Sequence, residues 1–389
     1  MPASSPASFE FEDSLLSRPC ATALAGVKLR RIEAADAGAM ANGLADFSVS
    51  RNLVAVPHPY TLADAREFIA GPAASPRMLC AAIEVDGAFG GCVAIDAQTG
   101  APELGYWLAA PLQGRGIGSA AARALVDLAF AATDVPAIVS GHFFDNDASA
   151  SVLAKLGFRR TGVVETRSRA RNETVRLLTM SLGRTEWLAR RPSIETRRLT
   201  MAQPTLADAD EIALIAADRS LGLMTAAVPK PFTLDDARAF VLSSARRRRP
   251  ASMTFSIRML TSGALVGGIG WSEGEGGGLE LGYWLGAEHR GRGIATEAAR
   301  AVLEAAFDWT GASCARARCR VVNPASRGVL ERCGFQWEGA SLVRSPGAPG
   351  AVAVDVFRLD RDVFFSLRDW GMSAVRTQRA AEAEPEDAA

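Results

Sequence analysis

The feature that most constrains this chain is an internal duplication. The segment ELGYWLAAPLQGRGIGSAAARALVDLAF begins at Glu103, and ELGYWLGAEHRGRGIATEAARAVLEAAF begins 177 positions later, at Glu280. Four further pairs keep this spacing: Gly90–Gly91 with Gly267–Gly268, Asn146 with Asn323, Ser149 with Ser326, and Gly157–Phe158 with Gly334–Phe335. Because a unit of roughly 170 residues is far longer than a solenoid repeat, each half is predicted to be a whole domain.

Length and composition then place the domain boundaries. The chain has 389 residues, enough for two or three domains. Residues 186–199, EWLARRPSIETRRL, are basic and contain a proline, and the pattern that follows resembles VKLRRI at 27–32. We predict an N-terminal extension over 1–20, domain one over 21–188, domain two over 189–368, and a flexible Ala/Glu-rich tail over 369–389.

Charge and cysteine usage exclude several classes of protein. The chain has 43 Lys and Arg against 43 Asp and Glu, so a main role in coating nucleic acid or an anionic membrane is not expected. No run of 18 to 20 apolar residues predicts a membrane span, and the N-terminus does not resemble a signal peptide, so a cytoplasmic protein is expected. The six cysteines form no CxxC pair and predict neither a zinc site nor any other metal site; we expect them to be reduced and mostly buried.

Each half alternates strands and helices. Met78–Val85 and Gly90–Ile95 predict two strands joined by a tight turn at Asp86–Gly87, and Phe255–Leu260 with Leu265–Ile269 repeat this hairpin. A further strand, Leu104–Leu108 or Leu281–Leu285, leads through a glycine-rich turn into a helix. The apolar residues of that helix recur at helical spacing: Ile117, Ala121, Leu125 and Leu128, and Ile294, Ala298, Val302 and Ala306.

The glycine-rich turn predicts a phosphate site. It reads QGRGIG from Gln113 and RGRGIA from Arg290. A turn without side chains that opens a helix exposes several backbone N–H groups to one point, where the helix dipole also favours negative charge. The sequences do not fit a P-loop or a dinucleotide fingerprint. The alternative is a plain helix start whose glycines serve packing.

Taken together, the motifs resemble a known family. The pattern Q/R-x-x-G-x-G/A after a strand, followed by N-x-x-S and then LGF or CGF, resembles the acetyl-coenzyme A binding core of the GNAT N-acetyltransferases. The PxP[YF]TxxDARxF and ELGYWL segments resemble the branch that includes the Rim-type ribosomal-protein N-terminal acetyltransferases. The resemblance covers about 27–187 and 196–364. It implies an α/β (α+β) chain of two tandem GNAT folds, each a mixed, mostly antiparallel sheet flanked by helices.

The resemblance also implies where acetyl-coenzyme A, the acyl donor, binds. The pyrophosphate is expected on the turn amides, the pantetheine between two strands that splay apart, and an asparagine at the end of the next strand. In domain one the implied contacts are Trp107, Leu108, Ala109, Gln113, Gly114, Arg115, Gly116, Ile117, Gly118, Ser119 and Asn146. In domain two they are Trp284, Leu285, Gly286, Arg290, Gly291, Arg292, Gly293, Ile294, Ala295, Thr296 and Asn323.

Acyl transfer to an amine needs a base and a proton donor for the leaving thiolate. Glu103 and Glu280 are the candidate bases, because each begins the strand beside the predicted cleft; the alternative is a strand-end carboxylate paired with arginine. Ser149 and Ser326 are the family-like candidates for the proton donor, and the alternative is that they cap a helix.

Other prominent residues are interpreted more simply. The run Arg246–Arg249 is read as a solvated loop rather than a site for an acidic partner or phosphate. Tyr106–Trp107 and Tyr283–Trp284 are read as core aromatics with one face toward the cleft. His58 has Lys230 as its counterpart, so a shared catalytic histidine there is not expected.

The leading hypothesis is a tandem, metal-free N-acetyltransferase that transfers acetyl to a primary amine by direct attack in a ternary complex. The acceptor, a protein N-terminus or a small molecule, would be chosen by the loops near 57–68 and 229–240. Two alternatives stay open: one catalytic half beside a coenzyme-binding or structural half, and a non-catalytic acyl-coenzyme A sensor. By analogy with other duplicated domains, the halves could pack as an intramolecular pseudo-dimer.

Overall fold

The computed structural model describes residues 10–98, 100–225, 228–229, 231–247, 249–345, 350–369 and 376–378. By contact density the chain divides into two compact units between Arg190 and Arg191, two residues beyond the predicted boundary. We call them unit 1 and unit 2. Most of the predicted C-terminal tail lies outside the described residues, but 376–378 form a strand.

Unit 1 has an eight-stranded sheet and six α-helices among its described residues. The strands are β1 Cys20–Ala21, β2 Val27–Arg31, β3 Met78–Val85, β4 Ala88–Asp96, β5 Glu103–Leu108, β6 Ala137–Phe143, β7 Arg159–Ser168 and β8 Glu173–Gly183. The helices are α1 Ala37–Ala45, α2 Phe47–Ser50, α3 Leu62–Ala70, α4 Ile117–Ala132, α5 Asp147–Leu156 and α6 Arg184–Ala189.

Unit 2 repeats this order with a nine-stranded sheet. Its strands are β9 Ser193–Glu195, β10 Leu199–Ala202, β11 Met253–Met259, β12 Leu265–Glu273, β13 Leu279–Leu285, β14 Cys314–Arg320, β15 Gln336–Arg344, β16 Ala351–Asp360 and β17 Arg376–Gln378. Its helices are α7 Ala209–Ala216, α8 Arg219–Met224, α9 Leu234–Ala245, α10 Ile294–Thr310, α11 Pro324–Arg332 and α12 Arg361–Asp369.

The two sheets share a topology. The strand order is β1-β2-β3-β4-β5-β6-β8-β7 in unit 1 and β15-β16-β14-β13-β12-β11-β10-β9-β17 in unit 2. In each described sheet one neighbouring pair is parallel, β5 with β6 and β13 with β14, and the other pairs are antiparallel. These are the two mixed, mostly antiparallel sheets that the family resemblance implies.

The helix that follows the glycine turn forms the core in both units. Its predicted apolar residues are all buried: Ile117, Ala121, Leu125 and Leu128 in α4, and Ile294, Ala298, Val302 and Ala306 in α10. The predicted hairpin is also present, and its turn at Asp86 and Gly87 has φ of 49° and 87°, as a tight hairpin requires. All six cysteines are buried and free, as expected.

One part of the repeat alignment is wrong. The sequence spacing of 177 pairs Gly91 with Gly268, but Gly91 lies opposite Leu108 while Gly267 lies opposite Leu285. Strand β12 is therefore shifted by one residue relative to β4, and the structural spacing there is 176. Since a shift of one residue reverses the face of every side chain, this changes which residues meet across the site.

Two further facts complete the description of the fold. The described part of the predicted N-terminal extension packs onto unit 1, because Phe11, Leu15 and Leu16 are buried. Among the helices that the structure describes, none combines the length and the apolar character needed to cross a membrane.

Candidate active site

A gap opens between the two parallel strands of each unit. In unit 1 the register joins β5 to β6 at the pair Glu103 and Val139, although β5 continues to Leu108. In unit 2 the pairing of β13 with β14 covers Leu279–Leu281, although β13 continues to Leu285. The described strands therefore diverge at the point where the family resemblance implies the pantetheine cleft.

The glycine turn lies at the end of this gap. Gly114 and Gly116 have φ of 74° and 75°, and Gly291 and Gly293 both have φ of 73°. A Cβ at Gly114 or Gly291 would meet nothing within 4 Å, so backbone conformation, not space, requires glycine there. Packing is therefore not what requires glycine at these two positions.

The helix after each turn begins without a side-chain cap. Gly116 and Gly293 occupy the N-cap positions of α4 and α10, and neither can supply a capping oxygen. The first backbone N–H groups of a helix have no intrahelical acceptor. In α4 these include the amides of Ile117, Gly118 and Ser119, which come directly after the turn. This arrangement suits a phosphate or pyrophosphate.

The first side chain of each turn ties the turn to the strand that precedes it. Gln113 Nε2 donates to the Leu108 carbonyl at 2.9 Å, and Arg290 Nε donates to the Leu285 carbonyl at 3.0 Å. Arg290 also donates to Asp218 Oδ2 at 2.9 Å. These two predicted contact residues therefore fix the turn through their side chains.

The turn of unit 2 has a second brace. Glu297 in α10 accepts from Thr196 Oγ1 and from Arg198 Nε, both at 2.6 Å. Arg198 in turn donates from Nη1 to the Arg292 carbonyl at 3.0 Å. Burial acts to raise the pKa of Glu297, but these hydrogen bonds hold it below its usual range. The corresponding position of α4 is Ala120, so this brace belongs to unit 2.

A tyrosine and a serine meet beside the gap in both units. Tyr106 Oη and Ser149 Oγ share a hydrogen bond of 2.8 Å, and so do Tyr283 Oη and Ser326 Oγ. Burial raises the pKa of Tyr106 to about 12, partly offset by the hydrogen bond with Ser149, and burial likewise raises the pKa of Tyr283. Both phenols are therefore protonated at neutral pH. The sequence interpretation of these tyrosines as core aromatics missed this contact.

The helix caps belong to the asparagines. Asn146 Oδ1 accepts from the Ser149 backbone N–H, and Asn323 Oδ1 accepts from that of Ser326, both at 3.1 Å. The alternative in which the serines cap these helices is therefore wrong, because each serine is the third residue of its helix. Asn323 Nδ2 also donates to the Met224 carbonyl at 3.1 Å.

Glu103 faces another carboxylate. It is the cross-strand partner of Asp96 on β4, and Asp96 Oδ1 accepts from the backbone N–H of Gln98 at 2.8 Å. No hydrogen bond or ion pair of the Glu103 side chain is found among the described residues. Although Glu103 is exposed on the surface of β5, partial desolvation by neighbouring atoms raises its pKa, and repulsion from Asp96 raises it further.

Glu280 has the opposite surroundings. Arg318 on β14 donates to it from two nitrogens, with Nε 2.8 Å from Oε1. Because of the register shift, its cross-strand partner is Ser272 and not a carboxylate. The alternative of an arginine-paired carboxylate thus describes Glu280, whereas Glu103 has Gly141 at the position that corresponds to Arg318.

A single cavity of about 1580 Å³ joins the gap and the turn of unit 2. The predicted residues that line it are Glu280, Trp284, Leu285, Arg290, Gly291, Gly293, Ile294, Ala295, Thr296, Asn323 and Ser326. Gly286 and Arg292 do not line it; the Gly286 amide donates to the Val266 carbonyl at 3.0 Å.

Unit 1 places its predicted residues on the corresponding elements. Trp107 and Leu108 end β5, and the Ala109 amide donates to the Gly90 carbonyl at 2.9 Å. The Trp107 ring lies 5.9 Å from that of Phe89 and does not point into open solvent. Arg115 is exposed at the tip of the turn, and so is Arg292, its counterpart in the second repeat.

Sequence reasoning missed three kinds of residue. Tyr106 and Tyr283 could have been found, because both repeats contain them within the same ELGYWL segment. Asp96 could not, because its position opposite Glu103 depends on the strand register. Arg318 and Arg247, which also lines the cavity, have no matching arginine in the first repeat and left no repeated signal.

Comparison with known proteins identifies the family. The sequence model for the acetyltransferase (GNAT) domain matches residues 27–159 and again 198–336. These matches cover more than half of the chain, and the protein belongs to the GNAT acetyltransferase family as a tandem of two such domains. It is accordingly an acyltransferase. No curated protein matches the chain.

Three solved structures that match this chain each cover a little under half of it. The GNAT-family acetyltransferase from Bacillus anthracis is 22% identical, covers 44% of this chain and 99% of its own, and has a TM-score of 0.39. RimJ from Mycobacterium smegmatis, solved with CoA-disulfide, is 19% identical and covers 49% of this chain and 99% of its own, with a TM-score of 0.41. A ribosomal-protein-S5-alanine acetyltransferase from Vibrio fischeri is 19% identical, with coverages of 44% and 97% and a TM-score of 0.39.

Proposed function

We propose that the protein transfers the acetyl group of acetyl-coenzyme A to a primary amine by direct attack in a ternary complex. The observation that carries this proposal is the gap between β5 and β6, with a carboxylate on one face and a protonated hydroxyl pair on the other. Side chains of a strand alternate between faces, so Glu103 and Tyr106, three residues apart, point to opposite sides of β5. Because the strands diverge at the gap, a substrate that lies there can contact groups on both faces of β5.

The residues present fit the coenzyme. Uncapped helix amides and two glycines at positive φ suit its pyrophosphate, and the diverging strands leave room for an extended arm. In unit 1 the amides of Ile117, Gly118 and Ser119 would hold the phosphates, and Trp107 and Leu108 would flank the arm. When bound, the coenzyme supplies an activated acetyl thioester.

The remaining chemistry falls to side chains of this protein. A lysine-type amine has a pKa of about 10.4 and an α-amine one of about 7.7 to 8.0, so either must lose a proton before it attacks. Glu103 is the base, and its raised pKa brings it closer to the range in which a carboxylate accepts a proton effectively. Ser149, held by Tyr106, donates a proton to the departing thiolate.

Unit 2 contains the same parts with Glu280, Tyr283 and Ser326. We propose that both units bind the coenzyme and that the acceptor is a protein N-terminus or a small-molecule amine. Free, buried cysteines suit a reducing compartment, and the cytoplasm is the proposed location.

The test is a thiol-release assay with acetyl-coenzyme A and a panel of amines. Glu103→Gln and Glu280→Gln are made singly and together, and the double variant should lose roughly 100-fold or more of kcat while coenzyme binding persists. Asp134→Asn, in the loop that precedes β6, is the matched control and should retain full activity. Coenzyme binding without transfer to any amine would contradict the proposal and favour a non-catalytic sensor.

A further inference from the structure

The acceptor face of unit 2 is rich in arginine. Trp284 packs against α7 and α9, whereas Leu281 and Leu285 pack in the core formed with α10. Glu280 therefore lies on the α9 face of β13, and Arg318 lies there too because it pairs with Glu280. Arg320, two residues further along β14, is on the same face.

Arg320 is held in place but keeps a free donor. Its Nη1 donates to the Leu223 carbonyl at 2.9 Å, while its buried Nε has no hydrogen-bond partner in the described part of the chain. The residue lines the cavity. That Nε is closed off from solvent, so the donor that a ligand could reach is Nη2, for which no hydrogen bond is found among the described residues. A guanidinium N–H of this kind beside a cavity suits an anionic ligand group.

Arg247 is a second cation in this cavity without a counter-ion. It follows α9 in a bend, lines the cavity and is half-buried. Its side chain makes no hydrogen bond or ion pair with any residue that the structure describes. Burial lowers the pKa of Arg247, as expected for a cation removed from water.

Unit 1 lacks these charges at the corresponding positions. Gly141 stands for Arg318 and Phe143 for Arg320. Arg171 lies 4.9 Å from the Phe143 ring, but Asp145 accepts from it at 2.8 Å and 2.9 Å. The two acceptor faces thus differ in charge.

We propose that unit 2 acetylates an amine that also carries an anionic group, a carboxylate or a phosphate, bound by Arg320 and Arg247. This rests on the proposed function and adds a substrate class to it. Arg318 keeps Glu280 in place and contributes to the positive potential. A guanidinium binds carboxylate and phosphate oxygens through paired N–H groups. The site therefore fixes the orientation of the anionic group as well as complementing its charge.

The test uses the full-length chain with Glu103→Gln, so that transfer reports on unit 2. Acceptors are compared in pairs: 5-aminovalerate with its amide, O-phosphoethanolamine with ethanolamine, and an acidic peptide with its Asn/Gln analogue. The anionic member of at least one pair should have roughly 10-fold or higher kcat/KM, as expected for charge-assisted hydrogen bonds. Which pair responds identifies the source of the anion.

Two variants assign the preference to the proposed residues. Arg320→Gln and Arg247→Gln should raise KM for the anionic acceptor and bring the ratio within each pair toward one, with the Kd of acetyl-coenzyme A unchanged. Arg247→Lys should keep part of the preference. Arg238→Gln, on an exposed part of α9, is the matched control.

Three outcomes would overturn this inference. Equal rates within every pair would mean that unit 2 does not select an anion. A weaker coenzyme Kd in Arg320→Gln would assign that arginine to the donor instead of the acceptor. Absence of transfer by unit 2, with unit 1 active in the Glu280→Gln chain, would refute the inference while leaving the proposed function intact in unit 1.

Discussion

At the scale of single residues, the same glutamate has two different environments. Glu103 and Glu280 begin identical ELGYWL segments, yet one faces Asp96 and the other is paired with Arg318. The difference comes from the neighbouring strands: a one-residue shift in β12 brings Ser272 opposite Glu280, and glycine replaces arginine at position 141. Two identical copies of the motif therefore place the candidate base in different surroundings.

This contrast predicts a pH effect. Glu103 acts as a base only when it is deprotonated, so its raised pKa moves the acidic limb of kcat/KM toward neutral pH. Asp96→Asn removes the smaller of the two causes, and the limb should move to lower pH while desolvation keeps part of the elevation. The measurement is kcat/KM against pH in the Glu280→Gln background.

The control for this prediction is Asp134→Asn, which removes a carboxylate from the loop that precedes β6 and should leave the limb in place. An acidic limb that stays at the same pH in Asp96→Asn would mean that the charge of Asp96 does not affect the pKa of Glu103. A limb that moves to higher pH would contradict the sign of the repulsion.

How far the sequence could predict the site depends on what each residue needs. Ser149 and Glu103 could be named because they stand at fixed distances from recognisable turns. The alternative of a serine cap on α5 is wrong, but the sequence could not exclude it, because Asn146 and Ser149 both favour helix starts and only the backbone path decides between them. Asp96 needed the register, which sequence alone does not fix.

At the scale of secondary-structure elements, the turn and the helix were the most predictable parts. Glycines that repeat at a strand-to-helix junction have few roles, and the helix behind them has an apolar face at helical spacing. The braces were not predictable. Arg290 donates to Asp218, a contact that Gln113 does not make in the described part of the first unit, and Glu297 stands where the first repeat has Ala120. The two turns are therefore similar in backbone and different in support.

The conformation of the turn predicts which glycine matters. Gly114→Ala forces a side chain into positive φ, at a cost of roughly 1–2 kcal/mol. If the substituted turn relaxes in the free protein, it must adopt the strained conformation again in order to bind. Binding then becomes weaker by the same free energy, and the coenzyme Kd should rise by roughly 5- to 30-fold. Calorimetric titration with acetyl-coenzyme A measures it.

Gly118→Ala is the matched control, because the second repeat already has Ala295 there. A Cβ at Gly118 would meet Leu108 at 3.5 Å, an ordinary contact, and the residue does not need positive φ. Its Kd should stay within about 2-fold of the wild type. Equal losses in both variants would mean that space near the helix start matters, and the conformational argument would fail.

At the scale of the whole molecule, the duplication was visible in the sequence and its consequences were only partly so. The repeat predicted two similar sheets, and two are present. It did not predict that they would differ at the acceptor face, because those differences lie in residues outside the repeated segments, such as Arg247, or in unequal replacements, such as Gly141 with Arg318.

Two intact turns predict two coenzyme sites for each chain. Gly116→Glu places a carboxylate and a side chain at positive φ in the first turn, and Gly293→Glu does the same in the second. Because a carboxylate repels a phosphate at a helix N-terminus that otherwise attracts it, each variant should lose one site and keep the other. Calorimetry should give a stoichiometry of two for the wild type, one for each variant and none for the double variant. A wild-type stoichiometry of one would mean that one turn keeps its backbone conformation but does not bind the coenzyme. The single variant that abolishes binding would then identify the unit that binds it.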